Sequence, residues 1–438
     1  MIKAIFTNSS GILFSRILGF IRDLLTASIL GANIYSDIFF VAFKVPNLFR
    51  RIFAEGAFTQ VFIPAYAKSS HKIRFSSIIF LQFIAFILFL SLLVTMFASL
   101  VTKAIAVGFD EQTIELAAPL VAINIFYLPL IFVVTFLAAM LQYKHHFATT
   151  AFSTALLNIA LIVALLLANG MEKYEITYYL SYGVIVGGVL QVLAHLIAVK
   201  KLRVKFFTTR IKEVNESIQI RVKTFYKNFF PAIFGSSTAH ISAFLDTWLA
   251  SFLISGSISY LYYANRVFQL PLALFAIATS VALFPSIAKA IRNNDEQKAQ
   301  HFLYKAFWLL FGLLSIASLI GIVFDDLIVW LLFERGAFTS EDTLNTSLVL
   351  TMYLIGLIPF GIAKIFSLWL YAHEKQVVAA KISAKSLGWN IVFSLILIEP
   401  MGAAGLALAS TISGYFLLYY TIKEFGYNKF LETIKGKY

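Results

Sequence analysis

The chain has 438 residues, of which 60% are hydrophobic and 13% charged, with a formal charge of +13 and no cysteine. Runs of about 20 apolar residues recur along its whole length, which excludes a soluble globular protein and requires a polytopic membrane protein. The lack of cysteine excludes disulfides, iron–sulfur clusters and thiol chemistry.

The first run, starting MIKAIFTNSSGILFSR, has no small-residue cleavage site and is interrupted by Arg16. It is therefore expected to stay as a span rather than leave as a signal peptide. The apolar runs predict twelve spans, at 8–31, 36–66, 76–102, 114–142, 148–169, 177–199, 226–254, 258–288, 303–333, 343–371, 377–398 and 402–422. With the N-terminus in the cytoplasm, 25 of the 35 basic residues fall on the cytoplasmic side. Only Lys103, Lys173 and Arg335 fall opposite, so the positive-inside rule places both termini in the cytoplasm. Topology and attraction to anionic lipid then explain the basic surplus, and nucleic-acid binding is not needed.

Spans 1 and 2 carry Arg16, Arg22, Asp23, Asp37, Lys44, Arg50, Arg51 and Glu55 inside apolar sequence. Arg266, Lys364 and Asp246 join them from the second half. At about 3 kcal/mol per central charge, these seven cations would cost on the order of 20 kcal/mol if they faced lipid. Four acids cannot neutralise them, so the expectation is a water-filled central cationic cavity that favours an anion. On an ideal helix Asp37, Lys44, Arg51 and Glu55 lie within about 40° of one another. Arg16 shares a face with Asp23, and Tyr262, Asn265, Arg266 and Gln269 form one stripe of span 8. Arginine suits a phosphate-bearing ligand because its planar fork donates two parallel hydrogen bonds and keeps its charge. Structural pairing, as of Arg51 with Glu55 four residues on, is the alternative.

Further along, Asp23-Leu-Leu-Thr-Ala27-Ser28 repeats as Asp246-Thr-Trp-Leu-Ala250-Ser251, and Pro46, Pro64 and Pro129 fall against Pro271, Pro285 and Pro359. The chain is therefore expected to be all-α, with two six-helix lobes related as a parallel repeat: residues 1–200, a basic linker at 201–225, and residues 226–438. The linker is expected to be a solvated amphipathic helix on the membrane surface. The glycine pair at Gly183 and Gly187 predicts close helix packing. With Asp325 and Asp326 counted on the non-cytoplasmic side, Asp246 is the sole acid within the second-lobe spans; it would carry a proton or sodium ion, pair with Arg266, or form an oxygen-lined cation site with Asn390 and Ser394. No HExxH, Walker-type or GxSxG motif is present, so no catalytic or metal-ligating residue is assigned.

The runs SRILGFIRD, GANIYSDIFFVAFKVPNLFRRIFAEGAFTQVFIPAYA and GSISYLYYANRVFQLP closely resemble the MurJ (MviN) family of lipid II flippases. That family lies within the superfamily of multidrug and polysaccharide-lipid exporters, and the similarity runs from about Ser9 to the end of span 12. The resemblance implies a multi-pass transporter of the bacterial inner membrane, not an enzyme. It would move the undecaprenyl-pyrophosphate-linked peptidoglycan precursor to the outer leaflet by alternating access, without ATP hydrolysis and without a cofactor. A Na⁺ or H⁺ gradient or the membrane potential would supply the energy. The family's cavity arginines correspond to Arg16, Arg22, Arg50 and Arg266, and its motif acids to Asp23, Asp37 and Glu55. The resemblance thus selects Arg50 where the face arithmetic selects Arg51. Family members commonly have fourteen spans, the last pair helping to form a groove for the lipid tail, and twelve are read here. Lipid II and the membrane are the expected partners of a monomeric chain, with peptidoglycan synthases as candidate protein partners. The rivals are a cation-coupled exporter of drugs or of another polyprenyl-linked glycan, a membrane-embedded prenyl-pyrophosphate enzyme, and a scaffold for cell-wall enzymes.

Overall fold

The computed structural model describes residues 2–52, 58–208 and 216–437; the side chains of 2–9, 49, 51, 52, 217 and 231–243 lie outside that description. All regular elements among the described residues are helices. The chain divides into two compact units, Met1–His240 and Ile241–Tyr438.

In the first unit α1 (Ile2–Leu30) turns sharply into α2 (Ile34–Ile52). Gly31 takes φ 79° there, a left-handed conformation that glycine adopts without steric cost. Asn33 closes both helices: its Nδ2 donates to the Leu30 carbonyl at 2.6 Å, and its Oδ1 accepts the Tyr35 amide at 2.9 Å. The path continues through α3 (Phe58–Ala67), α4 (Lys72–Met96), α5 (Ala98–Ile105), α6 (Glu111–Asn124), α7 (Tyr127–Tyr143), α8 (Ala148–Leu167) and α9 (Lys173–Lys201). Asp110 caps α6, accepting the Thr113 amide at 2.8 Å. Its hydrogen bonds with the Thr113 side chain and amide hold the carboxyl below the usual carboxylate range.

Helix α8 packs on both α1 and α9. A Cβ added at Gly183 would lie 2.9 Å from Ala164 Cβ, and one at Gly187 2.7 Å from Leu157 Cδ1. The close packing expected of this glycine pair is present. In lipid, apolar burial does not drive helices together, so such intimate contact supplies the attraction. A second anchor is an aromatic cluster: Phe58 and Phe62 stack at 5.0 Å, Phe83 and Phe132 at 5.5 Å, and Phe225 meets Phe58 edge-on at 6.0 Å.

Phe225 belongs to α10 (Glu216–Ala250), whose 35 residues run across the boundary between the units. Of the basic linker, where a surface helix is expected, residues 209–215 lie outside the described residues. Residues 202–208 are a non-helical strap laid on α4, and the linker's end, from Glu216, is already part of α10. The reason is local: Ser76 Oγ donates to the Phe206 carbonyl at 2.7 Å, and the Thr208 amide donates to Ser77 Oγ at 2.8 Å. These hydroxyls satisfy backbone groups that a helix would otherwise pair internally.

The second unit contains α11 (Ser257–Pro271), a π-helical turn at Leu272–Ile277, α12 (Ala278–Arg292), α13 (Glu296–Val323), α14 (Asp325–Phe333), α15 (Ser340–Leu354), α16 (Leu357–Ala372), α17 (Gln376–Phe425) and α18 (Tyr427–Ile434). The π turn directly follows Pro271, which lacks an amide for the helical ladder. Three acids of this unit bind hydroxyls on α15: Asp325 takes Thr351, Asp326 takes Ser347, and Glu334 takes Thr343 at 2.6 Å. They tie α15 to α14 and to the loop after it.

Eight helical stretches among the described residues are long and apolar enough to cross a membrane. One of them, α17, is a hairpin of two spans bent at Gly402, where φ is 55° and ψ −131°. Its halves join through Asn390 Nδ2 to Ser410 Oγ at 3.0 Å and Ser386 Oγ to the Ser413 carbonyl at 2.7 Å. The predicted spans at 377–398 and 402–422 are these two halves. Helices α1, α2 with α3, and α10 supply the remaining three of the twelve, and each of α1, α2 and α10 carries interior charge.

Candidate functional site

The interior charges of the first unit centre on Arg22. Its Nε and Nη2 donate to Asp23 Oδ1 at 3.1 and 2.6 Å, and its Nη1 donates to Asn158 Oδ1 at 3.0 Å. The two charged side chains are 12% and 3% exposed. Asn158 is held in turn, its Nδ2 donating to the Ser15 carbonyl at 2.9 Å. The guanidinium is thus neutralised by the next residue and oriented by an amide from α8. A low dielectric strengthens both contacts. Sequence reasoning missed Asn158; the available signal was an amide in the middle of the apolar run ALLNIALIV.

Around this lock the other predicted residues take different places. Arg16, on the same helix, is exposed. Asp37 is 2% exposed in the first turn of α2. Lys44 is half-buried further along α2, beyond the aromatic face of Phe39 and Phe40. Arg50 donates from Nε to Asn47 Oδ1 at 3.0 Å and lies within electrostatic reach of the buried Tyr127 hydroxyl. That hydroxyl donates to Gln191 Oε1 at 3.0 Å, which links the end of α2 to α7 and α9. Pro46 sits inside α2 between Lys44 and Arg50, where it interrupts the helical ladder and makes phase counting past it unsafe. The side chain of Arg51 and all of Glu55 lie outside the described residues.

In the second unit the predicted stripe of α11 forms. Arg266 Nη2 donates to the Tyr262 hydroxyl at 2.8 Å, and the guanidinium carbon lies 4.9 Å from the Tyr262 ring centroid. Tyr262 thus holds Arg266 both by a hydrogen bond and by cation–π attraction. Gln269 donates to Asn265 on the same face, and Asn265 lies near the Tyr353 hydroxyl. Asp246, near the end of α10, is also within electrostatic reach of the Tyr353 hydroxyl. Lys364 is exposed. On α17, Asn390 and Ser394 are 1% and 0% exposed, and Asn390 Oδ1 and Ser394 Oγ have no hydrogen-bond partner among the described residues. The two oxygens lie one helical turn apart, and the Asn390 amide is fixed by Ser410.

The family model for "Lipid II flippase MurJ" matches residues 26–435. A "Probable lipid II flippase MurJ" from Helicobacter pylori (strain J99 / ATCC 700824) is 52% identical over 422 residues, covering 94% of this chain and 92% of the relative. Another from Aquifex aeolicus (strain VF5) is 32% identical, covering 95% of this chain and 82% of the relative. A solved structure, "Lipid II flippase MurJ, inward closed conformation", is similar with a TM-score of 0.85 and 27% identity over 98% of this chain and 90% of that one. An inward-facing multidrug resistance MATE family transporter of the MOP superfamily gives 0.73 at 12% identity over 99% of both chains, a likeness of fold.

Proposed function

The chain belongs to the MurJ family of lipid II flippases, and from that premise we propose that it moves lipid II from the inner to the outer leaflet by alternating access, engaging the diphosphate with Arg16, Arg22, Arg50 and Arg266. The observation that carries the site is the Arg22 lock. Its charged partner Asp23 holds the fork through one oxygen, while its Asn158 contact is to a neutral acceptor. A phosphate oxygen replacing Asn158 exchanges a neutral acceptor for an ionised one and adds charge attraction to the bond, with the side chain already oriented. Arg266 is poised in the same way: its hydrogen bond goes to the neutral Tyr262 hydroxyl, and the ring attraction persists when that bond is exchanged. Asp37 and Glu55 would compete for these cations and make the anion's stay transient.

Coupling is assigned to a cation held by Asn390 and Ser394, with Asp246 supplying charge, and the unsatisfied oxygens of the first two support it. If Na⁺ is the ion, it raises the Tm of the wild type and not of N390A/S394A, whereas K⁺ raises neither. The chain acts as a monomer in the inner membrane with both termini in the cytoplasm, an orientation supported by its basic-residue distribution. The test of the arginines is complementation of a flippase-depleted strain: R16A, R22A and R266A each fail to restore growth at wild-type membrane levels. Restoration by all three would remove the site. A cationic-drug exporter would want acids and aromatics where these guanidiniums stand.

A further inference from the structure

Two stretches long and apolar enough to cross a membrane, Ser257–Arg292 and Ser340–Ala372, end side by side in the second unit. The last turns of α12 and α16 border a cavity of about 500 Å³ there. That lies within the roughly 300–1,000 Å³ of clefts that accept small molecules. Lys289 and Arg292 reach it from α12, and His373 and Glu374 from the turn after α16. The protein already holds His373: its Nδ1 donates to the Trp369 carbonyl at 2.9 Å, its ring centroid is 4.0 Å from that of Trp369, and its Nε2 is 3.6 Å from Glu296 Oε1. The other three charges stand differently. None of Lys289, Arg292 and Glu374 forms an ion pair or a side-chain hydrogen bond among the described residues.

The two cations suit their place, because the negative end of the α12 dipole faces them. Glu374 does not. It stands just past the C-terminus of α16, so the dipole repels its carboxylate, and its backbone is left-handed at φ 60°, a conformation that favours glycine. A glycine would close this turn with less strain, so the carboxylate has another use. One ligand satisfies all three side chains: a phosphate for Lys289 and Arg292, joined to a primary ammonium for Glu374. The guanidinium takes a phosphate through its planar fork. The carboxylate accepts only from an N–H, which a trimethylated ammonium lacks.

The position indicates a lipid. Arg292 and Ala372 terminate the two crossing stretches, which is the depth of a headgroup. On an ideal helix Val281, Pro285, Ala288 and Arg292 lie within about 60° of one another. The last three line the cavity, and Val281 is 70% exposed. The face of α12 that forms the wall is thus apolar and exposed nearer its start, where an acyl chain can lie. We propose that this cavity binds the headgroup of a phospholipid with a primary ammonium, phosphatidylethanolamine, at a site separate from the arginines assigned to the transported lipid.

The test is native mass spectrometry of the full chain released from nanodiscs with equal phosphatidylethanolamine, phosphatidylglycerol and phosphatidylcholine. The wild type retains phosphatidylethanolamine over both others. E374Q should lower the ratio of retained phosphatidylethanolamine to phosphatidylglycerol about tenfold, the loss of a hydrogen bond between charged groups. E432Q, which changes an exposed acid of α18 outside the cavity, should leave that ratio within about twofold. At about fivefold per basic residue, K289A/R292A should weaken phosphatidylethanolamine retention about 25-fold, and K298A/K305A, two exposed lysines outside the cavity, by less than about fivefold. E374G separates binding from folding. Glycine suits the left-handed turn, so its Tm in lipid-free detergent should equal or exceed that of the wild type while the ratio falls as in E374Q. Equal retention of the three lipids by the wild type, a wild-type ratio in E374G, or equal losses in lining and outside variants would overturn the site. Glycerophosphoethanolamine is the last arm: if micromolar amounts displace the lipid, the ligand is a soluble phosphoethanolamine and the lipid assignment fails.

Discussion

Replacing Asp23 with asparagine separates the two roles given to Arg22, as part of a structural lock and as a contact for the diphosphate. The two side chains are 12% and 3% exposed and joined at 2.6 and 3.1 Å, so water screens the pair little. Removing one partner of a buried ion pair costs about 3–5 kcal/mol. Asparagine keeps an acceptor oxygen in place, so D23N should fall at the lower end, about 3 kcal/mol. R22Q should cost a similar amount by removing the carboxylate's charge partner in the buried pair. The double variant R22Q/D23N should recover about 2 kcal/mol of the summed loss, the coupling expected of residues in direct contact. Reversible SDS or urea unfolding of the purified full chain gives all three values, and lipid II movement in vesicles is measured on the same preparations. The double variant should be folded and inactive. A cost for D23N below about 1 kcal/mol with no coupling would refute the lock, because a buried pair cannot be that cheap to break. A folded double variant with wild-type flipping would leave Arg22 structural only.

N158A should cost about 2 kcal/mol, the worth of a hydrogen bond to a charged group, and should reduce flipping more than it reduces membrane levels. Y262F should retain most of the flipping rate because the ring attraction to Arg266 survives, whereas R266K should lose it, since an ammonium cannot present a planar fork; both are read in the vesicle assay. The hydrogen bond and charge of Lys429, with His373 nearby, hold the Glu296 carboxyl below its usual value of 4.5. A depressed folded-state pKa means the contribution is full above pH 4.5 and lost as pH falls through the folded value. Hydrogen-exchange protection of residues 427–434 should therefore drop on acidification below that value in the wild type, with no such step in E296Q. In the α17 hairpin a Cβ at Gly405 would collide with the Leu397 carbonyl, a backbone group that cannot move aside, so G405A should lower Tm more than G402A, where open space surrounds the added methyl and only the left-handed φ is strained.

The spans were legible because lipid imposes one rule on every crossing segment, about 20 apolar residues with internal backbone pairing. That rule located even the two halves of α17, which only Glu399, Pro400 and Met401 separate. The glycine pair of α9 was legible for a similar reason, since small residues at four-residue spacing have little other use at a helix surface. The non-helical strap at 202–208 was not, because its backbone pairs with Ser76 and Ser77, more than a hundred residues upstream. The same limit applied to the site. Interior arginines stood out one by one, but helical phase matched Asp23 to Arg16, whereas the long Arg22 side chain folds onto the carboxylate beside it. Asn158 carried no charge to attract attention, and Pro46 broke the phase by which Arg50 and Arg51 were compared.

Reconstitution of the purified chain into vesicles with fluorescent lipid II in the inner-facing leaflet tests the central claim most directly. Lipid II should appear on the opposite face in a protein-dependent manner, at a rate that collapses in R22Q/D23N and R266K while both proteins remain folded. Movement no faster than in protein-free vesicles, under a sodium gradient and under a membrane potential alike, would contradict the account.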